Sequence, residues 1–156
     1  MACCHSIVVD QRLKTYNASS PDELALVNAA KQFGYIFQDR DEDGNLMIRD
    51  DLAKKTLTYK LLSTCEFTSS RKRMSVIVRL PEENNRIMIM CKGADSAIDQ
   101  LLIKPHTSGG GSQPAETPYS CISGFVDTVA DEGLRTLYCA YAYLEEKDYQ
   151  KWAIKK

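Results

Sequence analysis

The sequence predicts an α+β fold built on a mainly antiparallel, twisted β-sheet flanked by helices. Three observations carry that prediction. Short β-rich runs crowd the middle of the chain between Tyr35 and Cys91, separated by turn residues. Segments with helical spacing stand at residues 20–34, 93–102 and 119–132, without the regular strand–helix alternation of a parallel sheet. No internal repeat divides the 156 residues, so 1–156 reads as one domain, long enough to bury roughly 70% of its unfolded surface.

Taken in order, His5 to Asp10 (H-S-I-V-V-D) is a short peripheral strand. Ser20-Pro21-Asp22-Glu23 starts a helix, with Ser at the N-cap, Pro at the first helical position and Glu at the third. Leu24, Val27, Ala30 and Phe33 follow at helical spacing, and Gly34 stops it. Tyr35–Gln38 and Leu46–Ile48 form a strand pair across an acidic turn. Those turn residues, Asp39, Asp41, Asp43 and Gly44 with Asp50 at the twelfth position, also satisfy most of an EF-hand calcium loop. The twelfth residue is Asp rather than the bidentate Glu, and the entering segment is strand-like, so an Asp-Gly hairpin turn is the better reading. Thr56–Thr64 is a strand, and Met74–Leu80 with Arg86–Cys91 make a hairpin across P-E-E-N-N. A helix runs from Gly93 or Ala94 to about Leu102. Residues 104–118, with S-G-G-G-S at their centre, read as a flexible surface loop resembling an engineered spacer. A helix over 119–132 ended by Gly133, a strand over 134–144 and an amphipathic tail complete the chain.

Composition narrows the function classes. A hydrophobic content of 44% with 26% charged residues is that of a soluble globule, and a net charge of −1 gives no broad drive toward nucleic acid or anionic membrane. No apolar run approaches the ~18 residues that span a bilayer. The six cysteines are even in number, but the chain is too long and too well supplied with core residues to need a disulfide framework, and Cys3-Cys4-His5 lacks zinc-ligand spacing, so no metal site is expected. His5 and His106 stand apart from any nucleophile, and neither a Walker A loop nor G-x-G-x-x-G occurs.

Four short blocks carry chemistry. In Phe67-Thr68-Ser69-Ser70-Arg71-Lys72-Arg73-Met74 an aromatic ring leads into the densest basic cluster. The ring suits a stacked base, worth roughly 1–3 kcal/mol, or simply a core. On a strand, Arg71 and Arg73 would face one way and Lys72 the other. Lys92-Gly93-Ala94 sits at a strand-to-helix junction, where backbone N–H groups favour anions, although a lysine there also suits a solvated face. Glu23 either closes a capping box onto Ser20 or faces a ligand. Arg135, in Glu132-Gly133-Leu134-Arg135-Thr136-Leu137, offers a bidentate phosphate donor or a surface charge.

The order and spacing of these blocks resemble the nucleotide-binding domain of the P-type ATPases, specifically of the phospholipid-transporting class, over roughly Cys4 to Trp152. The resemblance implies that Phe67 stacks on adenine with Met74 beneath it, that Glu23 recognises the adenine amino group, and that Lys92, Gly93, Lys72, Ser69, Arg135 and Thr136 face the ribose and phosphates. Ser69 departs from the ion pumps of the same superfamily, which carry arginine there; the ion-pumping class and a protein-interaction module without nucleotide remain the alternatives. The phosphorylated Asp-Lys-Thr-Gly block is missing, so the chain is expected to hold ATP without hydrolysing it, Mg²⁺ entering with the phosphates in the full-length protein. Implied partners are ATP and the phosphorylation and actuator domains of a parent protein. The domain is expected to be monomeric, at the cytosolic face of a membrane reached only through transmembrane parts not in this chain.

Overall fold

The computed structural model describes residues 1–103 and 118–155; the loop expected at 104–118 falls, except for Pro118, outside them. Among the described residues, two β-sheets and four α-helices follow one another. Strands β1 (Val8–Asp10) and β2 (Thr15–Asn17) make a small antiparallel ribbon, and α1 covers Pro21–Gln32. Then comes an antiparallel meander of β3 (Tyr35–Arg40), β4 (Leu46–Asp50), β5 (Lys55–Cys65), β6 (Arg73–Arg79) and β7 (Ile87–Gly93). A short α2 (Asp95–Ile98) runs into a 3₁₀ turn at Asp99–Leu101. After it stand α3 (Pro118–Asp131), β8 (Tyr138–Leu144) and α4 (Glu146–Ala153). Each strand from β3 to β8 pairs with the next, so the sheet order is the chain order.

Alternation explains the layers. Met74, Val76 and Val78 of β6 point to the face covered by α1 and the N-terminal arm, where Val27, Phe37, Leu46 and Ile7 complete the core. The opposite face of β6 is closed as well, with Ser75 and Ile77 buried and Ile98 of α2 fully enclosed. β6 is therefore buried on both sides over Met74–Val78, and its register against β7 is fixed by packing.

The N-terminal arm does more than the sequence reading expected. Cys3, Cys4 and His5 are core residues rather than a terminal tail. The His5 ring accepts from the Ile7 N–H at Nδ1 (3.2 Å), donates from Nε2 to the Ala2 carbonyl (2.8 Å) and meets Phe37 edge-on at 4.4 Å. Burial lowers its pKa to about 4 and raises the Cys4 thiol to about 12. Strand β2 was not signalled by any pattern, and its partner β1 begins at Val8 rather than His5. In the acidic turn the Asp41 carboxylate accepts from the N–H groups of Asp43 and Asn45 and from Asn45 Nδ2, with Gly44 at φ +81°. That is hairpin-turn chemistry, as expected. β8 starts at Tyr138, four residues later than the predicted strand. Among the described residues, no helix is long and apolar enough to cross a membrane.

Candidate functional site

A cavity of about 400 Å³ opens between the start of α1, the end of β5 and the corner where β7 leaves the sheet. Five of the nine sequence-predicted residues line it: Glu23, Phe67, Met74, Lys92 and Gly93. Met74 is a buried floor, whereas Phe67 presents a ring that is 60% exposed just beyond the end of β5. An apolar ring left in water at the mouth of a cavity is an available stacking face.

The wall is a buried ion pair. Lys92 Nζ donates to Glu23 Oε1 at 2.7 Å, their side chains only 9% and 12% exposed. The second carboxylate oxygen accepts from Ser6 Oγ (2.7 Å) and Ser6 N (3.2 Å). Burial pushes the Glu23 carboxyl upward, but the hydrogen bonds from Lys92 and Ser6 outweigh it and hold the group below its usual range. The capping box does not form. Ser20 has the extended backbone of an N-cap but makes no side-chain cap bond, and the Glu23 carboxylate bonds Lys92 and Ser6 rather than the Ser20 N–H.

Gly93 serves the backbone. A Cβ there would lie 2.4 Å from the Lys72 carbonyl oxygen and 2.6 Å from Arg73 Cβ, its cross-strand neighbour. The same Lys72 carbonyl accepts from the Ala94 N–H (3.0 Å). Glycine is thus required by the close approach of two chain segments.

The basic cluster divides its labour. Residues 68–72 form a turn before β6 begins at Arg73, so strand alternation does not apply to Arg71 and Lys72. Arg71 reaches back and donates to the Cys65 (3.2 Å) and Glu66 (2.8 Å) carbonyls, strapping the turn that carries Phe67. Lys72 is exposed at φ +51°; neither it nor Ser69 lines the cavity. Arg135 lies at the rim, three-quarters exposed, donating to Asp22 Oδ2 at 2.7 Å. Asp22 lines the cavity, as does Leu137, while Thr136 does not. The sequence reading missed Ser6, Ser19, Ser20, Asp22, Leu26, Glu66 and Leu137 as lining residues. Of these, Ser19, Ser20 and Asp22 at the α1 start and Leu137 within the Arg135 block carried a local signal.

The family description "P-type ATPase, cytoplasmic domain N" matches residues 1–156. The chain belongs to this family. The N domain is 40% identical over 154 residues to human phospholipid-transporting ATPase IC, covering 97% of the chain. It is 38% identical to mouse phospholipid-transporting ATPase FetA across its full length. It is also 41% identical over 97% of its length to phospholipid-transporting ATPase dnf2 of Schizosaccharomyces pombe. Those alignments cover 11%, 12% and 10% of the relatives, so the N domain spans about a tenth of their length. The six-stranded antiparallel sheet with flanking helices is consistent with that family. Chemically, the cavity offers an aromatic face, a buried acceptor beside a buried ammonium, and a guanidinium at the rim. Among the described residues, no group of three or more His, Cys, Asp or Glu gathers as a metal seat.

Proposed function

We propose that this N domain binds ATP for a phospholipid-translocating P-type ATPase and presents the γ-phosphate to an aspartate on a phosphorylation domain outside this chain. The observation that carries the reading is the pairing of an exposed Phe67 with the buried Lys92–Glu23 pair in one cavity. The Phe67 ring stacks on the adenine, and Met74 supports the base from the floor. Glu23, whose Oε2 is held by Ser6, supplies an acceptor for the exocyclic amine. Lys92 lies on the ribose and phosphate side. Arg135 meets the outer phosphates at the rim; Thr136, next to it in sequence, and Ser69 and Lys72, in the turn after Phe67, stand outside the cavity wall. Mg²⁺ enters with the phosphates and is held mainly by other domains of the parent. Residues 1–156 act as one unit at the cytosolic face of that membrane protein, in contact with its phosphorylation and actuator domains. The fit to phospholipid-transporting relatives across the chain supports the lipid-transporting class over the ion-pumping one.

The test is a ¹H–¹⁵N NMR titration with ATP and then GTP, without Mg²⁺. Binding through one aromatic face and few charges gives a dissociation constant of roughly 0.1 to several millimolar. Shifts centred on Glu23, Phe67 and Lys92, larger for ATP than GTP and weakened about five-fold or more in Phe67→Ala, are expected. A folded sample that shows no shift up to ~10 mM ATP, or an unchanged affinity in Phe67→Ala, overturns the assignment.

A further inference from the structure

Two acidic residues adjacent in sequence each hold one cation of the site, and the two pairs differ in kind. Glu23–Lys92 is enclosed, with three hydrogen bonds on the carboxylate, and belongs to the framework. Asp22–Arg135 spans 113 residues through one contact at 2.7 Å, with side chains 37% and 75% exposed. Arg135 stands on the irregular segment between α3 and β8, and Asp22 in the first turn of α1. A carboxylate at a helix start, bonded to a guanidinium, stands where a phosphate oxygen would stand. An exposed, single-contact pair is weak enough to exchange partners.

Resting on the ATP reading above, we propose that Asp22 is a tethered competitor for the phosphates. In the free domain it occupies Arg135, and the polyphosphate must displace it. Binding then swaps one Arg–carboxylate contact for an Arg–phosphate contact. The net gain from the phosphates is therefore small, and discrimination rests on the base. Asp22 thus sets how little the domain distinguishes ATP from ADP or adenosine, a property that suits a module which must release ADP after transfer.

The experiment measures dissociation constants for adenosine and ATP by NMR titration in the wild type, Asp22→Asn, Asp22→Ser, Arg135→Gln and the Asp22→Asn/Arg135→Gln double variant. Thermal melts check the fold of each. Two Asp22 substitutions are used because an altered first turn of α1 could disturb one of them. The expected result is that the ratio of the adenosine to the ATP dissociation constant rises roughly two- to five-fold in both Asp22 variants. That rise should vanish in the Arg135→Gln background. A ratio that falls means Asp22 positions Arg135 for ATP, and an equal rise without Arg135 means simple repulsion; either result overturns the competition. If the wild type binds neither ligand, the ATP reading fails with it. If it binds both and the ratio does not move, only the competitor role fails.

Discussion

Removing one member of the Glu23–Lys92 pair tests how the site is built. At 2.7 Å, two unit charges attract by about 6 kcal/mol at an effective dielectric constant of ~20, before the desolvation of both ions is subtracted. Lys92 is 92% buried by its whole-residue exposure of 8%, and its ammonium faces Glu23, so losing the carboxylate strands a charge. Deleting one partner of such a pair costs about 3–5 kcal/mol. Lys92→Met should fall at the lower end, because Glu23 keeps its two hydrogen bonds from Ser6. Glu23→Gln should also fall below the full range, since the amide oxygen still accepts from Lys92. The double variant Glu23→Gln/Lys92→Met removes both charges and should recover much of the loss, giving a coupling energy of about 2 kcal/mol or more. Urea denaturation of the four proteins at pH 7, with a common m-value, measures it. The sign with pH follows from the depressed Glu23 pKa. Its contribution is present above the unfolded carboxylate value and is lost as pH falls through the folded one. The Lys92→Met penalty should therefore shrink in acid. A coupling below about 0.5 kcal/mol would refute the claim that this pair is a buried structural unit.

Two further outcomes test the frame around the site. Gly93→Ala forces a Cβ against the Lys72 carbonyl and should destabilise the chain by about 1–3 kcal/mol, with NMR shifts spreading to the Phe67 turn; a neutral melt would contradict the close approach. His5 has a folded pKa of about 4 against 6.5 when unfolded, so its contribution is full above the unfolded value and lost as pH falls toward the folded one. Between pH 7.5 and 5.0 the wild type should lose about 2 kcal/mol that His5→Gln does not, read as the difference between their urea stabilities at each pH. Equal losses in the two proteins would show that His5 is not held neutral.

The sheet was legible because its signals are local. Alternating apolar residues and turn residues marked β3 to β7, and the acidic turn and the P-E-E-N-N hairpin appear where expected. What escaped depends on distant partners. Strand β2 is three residues long and exists because the N-terminal arm folds over the core, with Tyr16 Oη donating to the Phe37 carbonyl at 2.8 Å. The capping-box pattern at Ser20 was complete, yet Glu23 bonds 69 residues away to Lys92. A buried ammonium outcompetes a solvated backbone N–H for one carboxylate. Arg71 read only as part of a basic cluster, because charge density is visible in sequence while the two carbonyls it straps are not. Ser6 and Leu26 lacked any motif; only folding brings them to the cavity.

The strap of Arg71 and the bond from Ala94 N–H to the Lys72 carbonyl tie the Phe67 turn to the end of β7. Through that joint the aromatic face and the Lys92 wall move as one jaw, so a ligand seated on the ring meets a surface already shaped before it arrives. The opposite jaw is the start of α1, joined to the first by ion pairs rather than by sheet hydrogen bonds. Opening the mouth at the start of α1 therefore means parting two ion pairs, one of them enclosed, while every strand pairing stays intact.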